Sequence, residues 1–206
     1  MLLAIDTSAG TSAAVVDREG GILSERSQSD TMRHAEVIGE LIEAVLRESG
    51  VPVADLSGVV AGMGPGPFTG LRVGIAAAKA FAFGAGKPLV PAVSHDAVAF
   101  ERYRSGHTGG LLVVTDARRR ERYWSAYVGV DEAGLPIRED GPGLAKPDEI
   151  PHAALPRFDA TVVSAGALGM LAELQFANGR PFAADEPLYL RSPDVTLSNG
   201  PKRVSA

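Results

Sequence analysis

The chain has 206 residues, 45% apolar and 22% charged, which supports one large domain or two small lobes around a real core. Its formal net charge of −5 excludes strong nucleic-acid binding through bulk charge and leaves room for a local basic patch. It has no cysteine, so disulfides, thiolate nucleophiles and Cys-ligated metals are excluded.

Met1-Leu-Leu-Ala-Ile-Asp6 is apolar for only five residues and has no basic start, unlike a signal peptide. No window approaches the length of a membrane span, so the cytoplasm is the expected location. Three strands are expected first, at Leu2–Asp6, Ser12–Val16 and Ile22–Arg26, as an antiparallel meander. Asp6, Thr7 and Ser8 follow the first strand. They read either as a phosphate loop with an Asp that manages a metal, or as a side-chain turn closing a hairpin.

A helix is expected from Met32 to Ser49, ended by Gly50 with Pro52 beyond. His34 lies near its start. Position 38 is Ile, so no helical metal pair four residues apart is present, and a capping or packing role is expected. Val37, Ile38, Leu41, Ile42, Val45 and Leu46 cover roughly half the helix circumference, wider than the ~100° stripe one core contact needs.

A strand at Gly58–Ala61 leads into Gly62-Met-Gly-Pro-Gly-Pro-Phe-Thr-Gly70. A glycine-rich turn between strand and helix is a common phosphate cradle. This one lacks both the Walker and the GxGxxG spacing, and Pro65 and Pro67 carry no N–H, so it reads as shaped rather than liganded. The helix expected from Thr69 to Gly84 has only Arg72 and Lys79 as charges and is otherwise apolar nearly all round. Such a helix is expected to be covered nearly all round. Either the two helices pack on each other and on the second lobe, or they form an oligomer or partner interface. The anchors expected on this surface are Ile38, Ile42, Val45, Ala76, Ala80 and Phe83, with His34 at the helix head and Arg72 and Lys79 at the rim.

A strand at Leu89–Ala92 and a helix from Ser94, as its cap, to Tyr103 complete the order βββαβαβα, that of a ribonuclease-H-like lobe over residues 1–105. In residues 106–206 a shortened second lobe is expected. It has a strand pair at Leu111–Asp116 and Arg122–Val130, a loop from Pro136 to Pro156, a strand at Val162–Ser164, a helix at Ala167–Asn178 and a polar tail from Ser192. Arg118, Arg119 and Arg120 with Tyr123, Trp124 and Tyr127 form the one basic–aromatic cluster. It reads either as a nucleic-acid contact or as a charged turn protecting an edge strand. The four histidines show no nucleophile constellation.

Ile5-Asp-Thr-Ser8, Arg33-His-Ala-Glu36, Gly64-Pro-Gly-Pro-Phe-Thr-Gly-Leu-Arg-Val-Gly74, Asp116-Ala-Arg118 and Pro187-Leu-Tyr-Leu-Arg191 together resemble the TsaB family over nearly the whole chain. Pro67 stands where that family is expected to have Ser. The resemblance implies an actin-like ATPase fold, α/β, with a complete first lobe and a truncated second one. It implies a non-catalytic scaffold of the transferase that makes threonylcarbamoyladenosine at position 37 of tRNA. It also implies pairing with the catalytic TsaD through the first-lobe helices, an ATPase partner TsaE, and a homodimer when alone. Asp6, Thr7 and Ser8 are then a vestigial phosphate loop; no cofactor and no metal are expected, and tRNA would be met only in the complex, through Arg118, Arg119 and Arg120. The rival readings are a metal-dependent peptidase, an ATP-binding actin-like enzyme, and a direct tRNA-binding module.

Overall fold

The computed structural model describes residues 1–30 and 33–191. The expected helix start at Met32 and the tail from Ser192 lie outside the described residues. The first half runs β1 (Leu2–Asp6), β2 (Thr11–Asp17), β3 (Gly21–Gln28), α1 (His34–Ser49), β4 (Gly58–Gly62), α2 (Phe68–Ala85), β5 (Leu89–Ala92) and α3 (Ser94–Arg104). Its sheet has the order β3-β2-β1-β4-β5. β1–β2 and β2–β3 are antiparallel, whereas β1–β4 and β4–β5 are parallel. This is the ribonuclease-H-like lobe of the actin-like ATPase fold, as the element order predicts.

β1 and β4 read as continuous apolar runs because both sheet faces are covered. Leu3, Ile5, Val59 and Ala61 pack under α1 and α2. Leu2, Ala4 and Val60 share the opposite core with α3 and α4 (Ala165–Ala177). α1 and α2 both end on a left-handed glycine, Gly50 and Gly86, which lets the chain leave each helix without a Cβ clash.

The second half forms β6 (Leu111–Asp116), β7 (Arg122–Val130), β8 (Pro136–Ala145) and β9 (Arg157–Asp159), ordered β8-β7-β6-β9. The expected loop from Pro136 is therefore a strand as far as Ala145. β8 is an edge strand, where proline can sit without breaking a ladder on both sides. Val162–Ser164 is not a strand but the run-in to α4, whose N-cap Ser164 accepts a hydrogen bond from Ala167 N at 2.9 Å. The strand of this region is the three-residue β9, parallel to β6 and too short to leave a periodic signal. Ser94 also differs from expectation. It is the first helical residue of α3 after an N-cap at Val93, and its hydroxyl serves the β1 turn instead.

Candidate functional site

At the end of β1, Asp6, Thr7 and Ser8 are nearly inaccessible, at 1%, 1% and 2% exposure. Asp6 Oδ1 accepts from Ser8 N at 2.8 Å and Ser8 Oγ at 2.5 Å, and Oδ2 accepts from Ser94 Oγ at 2.5 Å. Burial pushes the Asp6 carboxyl above the usual carboxylate range, against the lowering effect of those hydrogen bonds. Thr7 Oγ1 donates to Gly70 O at 2.7 Å and accepts from Gly74 N at 3.1 Å, tying the turn to α2. The glycines follow from that contact. A Cβ at Gly74 would lie 2.2 Å from Thr7 Oγ1, and one at Gly66 would lie 2.8 Å from Ser8 Cα. The polar atoms of the turn thus hold the Gly-Pro loop against β1. His34 Nδ1 lies 2.7 Å from Thr11 Oγ1, a packing role, and its pKa is lowered by burial and by the Arg118 charge. Among the described residues, no three His, Cys, Asp or Glu side chains converge.

Two adjoining cavities, about 350 and 380 Å³, flank the start of α2 and share Pro67, Phe68, Thr69 and Arg118 in their walls. Of Arg118, Arg119 and Arg120, the first two line these walls and Arg120 lines neither. All three have left-handed backbone, with φ of 65°, 52° and 63°. That conformation costs an L-residue roughly 1–2 kcal/mol each. They precede β7, which pairs on both sides, so the turn does not protect a sheet edge. The aromatic partners differ from expectation. Trp124 and Tyr127 are packed in separate cores, and Tyr123 is buried with its hydroxyl donating to Gly66 O at 3.1 Å. The more accessible rings are Phe68 and Tyr189, with centroids 4.8 Å apart. The Arg72 guanidinium sits 3.8 Å above the Phe68 ring and donates to Tyr189 Oη at 3.2 Å. Arg191, paired with Glu121, closes the wall. Neither Tyr189 nor Arg191 announces this position by local pattern; only the Pro187–Arg191 motif flags them.

On α2, Gly70, Leu71, Gly74, Ile75, Ala78 and Ala82 face inward. The opposite face stays open within this chain: Ala76, Lys79 and Ala80 are exposed, and Phe83 is 91% exposed. Lys79 Nζ pairs with Asp185 at 2.7 Å. On α1, Ile42 is half-buried against the lobe's own core, into which Ile38 and Val45 turn fully, and the His34 ring is buried as well. The wide apolar arc of α1 is thus explained largely by its own sheet, and that of α2 is not. No helix among the described residues is long and apolar enough to cross a membrane.

The family described as TsaD, tRNA N6-adenosine threonylcarbamoyltransferase, matches residues 5–140. An uncharacterized protein of Mycobacterium tuberculosis is 39% identical over 204 residues, covering 94% of this chain and 93% of that one. The tRNA threonylcarbamoyladenosine biosynthesis protein TsaB of Escherichia coli is 29% identical over 165 residues, covering 80% and 70% respectively. The structure of YeaZ from Pseudomonas aeruginosa aligns with a TM-score of 0.75 at 25% identity, covering 92% of this chain and 99% of that one. With the ribonuclease-H-like lobe, the shortened second sheet and these relatives together, the chain belongs to the TsaD family of proteins as one of its TsaB-type members.

Proposed function

We propose that this chain is a non-catalytic, cytoplasmic accessory subunit of the machinery that builds threonylcarbamoyladenosine at position 37 of tRNA. It binds the catalytic TsaD subunit and stabilises its competent form by mass action. The contact runs along the outer face of α2 and the adjoining rim of α1: Ile42, Ala76, Ala80 and Phe83, with Arg72 and Lys79 at the edge. Ile38, Val45 and His34 hold this face from beneath. The same face joins two copies when TsaD is absent, and TsaE docks on the assembled pair. Residues 1–105 supply the contact and the second sheet braces it.

The observation that carries this reading is Phe83, a large apolar ring that is 91% exposed on the face of α2 that this chain leaves open. Small residues at 76 and 80 let a partner helix approach closely beside it. A standard interface buries about 1,600 Å² in total and concentrates its energy in a few such aromatic anchors. The Asp6–Ser8 turn supports the accessory role, because its carboxylate and hydroxyls already have partners within the chain.

Reconstitution tests it. The chain is mixed with cognate TsaD, TsaE and unmodified tRNA, and modified adenosine is measured with and without it. Modification is expected to depend on the chain. Phe83→Asp is expected to weaken TsaD association by roughly thirty-fold or more, the scale of a lost hot spot. Modification at the same rate without the chain would overturn the proposal.

A further inference from the structure

The cleft between the start of α2 and the Arg118–Arg120 turn has a composition that neither the fold nor the α2 contact explains. Arg118 and Arg119 line it together with the rings of Phe68 and Tyr189, and Tyr123 and Arg191 complete the wall. These groups come from three separate stretches of chain. The arginines occupy three successive left-handed residues, a costly way to present charge at a turn that guards no edge strand. The Phe68–Tyr189 pair is tilted by 44°, so the rings form a corner rather than a closed stack. At about 350 Å³ the cavity lies at the small end of ligand clefts, with room for one base and its phosphate but not for a duplex. Cationic groups facing aromatic rings along a groove match single-stranded nucleic acid, whose phosphates and base faces are both accessible. An acidic protein segment would use the arginines but not the exposed ring of Tyr189, which stands beside the Phe68 ring that Arg72 already engages.

We propose that this cleft seats a single-stranded RNA segment, with one base against Tyr189 and Phe68 and its flanking phosphates on Arg118 and Arg119. That the strand is RNA rests on the tRNA-modification reading above. The chemistry shared with a free mononucleotide is one base plus one phosphate. The strand is favoured because the phosphate-type turn at Asp6–Ser8 is folded shut, while the arginine cleft is open to the surface. With a net charge of −5, the chain is expected to bind weakly and only where the arginines are grouped.

The test uses the full chain, without TsaD, and a fluorescein-labelled ten-nucleotide single-stranded RNA, read by anisotropy at 50 and 200 mM salt. Saturable binding is expected, weakening with salt at a log–log slope of about −1.4 for two neutralised phosphates. R118A/R119A is expected to bind about ten-fold more weakly or worse, with R118K/R119K retaining most of the affinity. Tyr189→Ala is expected to lose roughly five-fold or more through stacking, and Arg47→Ala, an exposed cation in the last turn of α1, at the helix end away from the cleft, to be unchanged. Thermal melts confirm that each variant is folded. No saturable binding at 50 mM salt, equal binding of duplex RNA, or insensitivity to both R118A/R119A and Tyr189→Ala would overturn the proposal. Tight binding of adenosine monophosphate without binding of the strand would overturn the strand assignment. Loss of TsaD association in R118A/R119A with RNA binding intact would assign the arginines to a protein contact instead. If RNA binding fails while the chain still stimulates modification, the accessory role stands without this cleft; the reverse result leaves the cleft without that role.

Discussion

His95 is fully buried, with Nδ1 2.8 Å from Ser125 Oγ and Nε2 2.9 Å from Thr115 Oγ1. Burial, and secondarily the Arg138 charge, pulls its pKa down from 6.5 to about 3. The unfolded chain therefore takes up this proton below about pH 6.5 while the folded chain refuses it until about pH 3. Its effect on stability is fully favourable above pH 6.5 and is lost as pH falls, by about 1.4 kcal/mol per unit. His34 shifts in the same direction. Asp6 and Asp96 shift upward, so they act the other way as they protonate in acid. Urea denaturation at pH 7 and pH 5 is expected to show an acid loss about 2 kcal/mol larger for the wild type than for His95→Asn, which has no ring to titrate. Equal losses would mean that His95 is charged in the folded state. At Gly74 the governing quantity is distance. A Cβ would sit 2.2 Å from Thr7 Oγ1, so Gly74→Ala must displace the turn. The expected loss is about 1–3 kcal/mol in urea denaturation, and Gly84→Ala, with open space around it, serves as the control.

At the scale of elements, α2 carries two opposite faces that only the structure separates. Ala78 is fully buried under the sheet, whereas Ala80, two residues on, is exposed. Ala78→Leu is expected to overpack the core and lower stability by about 1–3 kcal/mol, while Ala80→Leu changes it by less than about 0.5 kcal/mol. Urea midpoints of the two variants check the assignment, and equal effects would reverse it. The sequence shows that α2 has too much apolar surface but not which half is covered, because small residues on both sides blur the 3.6-residue period. β1 to β5 were legible from apolar runs between turns, and α1 and α2 from their glycine ends. β8 was hidden by Pro136 and Pro142, since the rule against proline in strands holds for central strands rather than edges. At the cleft, Arg118–Arg120 was legible as charge, but Tyr189 reaches it across 117 residues of separation from Arg72. Proximity of that kind leaves no trace in spacing. Trp124 misled because it points to the opposite sheet face from Tyr123, and Tyr127 because, on the same face as Tyr123 but four residues further along β7, it lies in the core rather than the cleft.

Over the whole molecule, the two sheets are joined by a polar clamp as well as by the shared apolar core. Asp96, in the first turn of α3, accepts from Tyr127 Oη of β7 at 2.7 Å and pairs with Arg138 of β8, Nε to Oδ1, at 3.1 Å. The aspartate belongs to the first half of the chain and both partners to the second. Burial pushes the Asp96 carboxyl upward even with Arg138 and Tyr127 holding the charge, so the clamp carries a substantial desolvation cost. Arg138→Met removes the cation, keeps much of the side-chain volume and leaves a half-buried carboxylate with a single donor. The expected destabilisation at pH 7 is about 1–3 kcal/mol, below the full scale of a broken buried pair because both side chains keep some solvent contact. The sign with pH follows from the raised pKa. A carboxyl that protonates more readily folded than unfolded contributes most below the unfolded value of 3.8 and loses that contribution as pH rises through its folded value. Without Arg138 the folded value climbs further, so the variant's deficit relative to wild type shrinks as the buffer is acidified from pH 7 to pH 5. The double variant Asp96→Asn with Arg138→Met carries no buried charge at this site, and its deficit is expected not to change with pH. A deficit in Arg138→Met that is constant across that range would show that Asp96 reaches water once the arginine is gone, and that this carboxylate adds no pH-dependent strain to the joint between the two sheets.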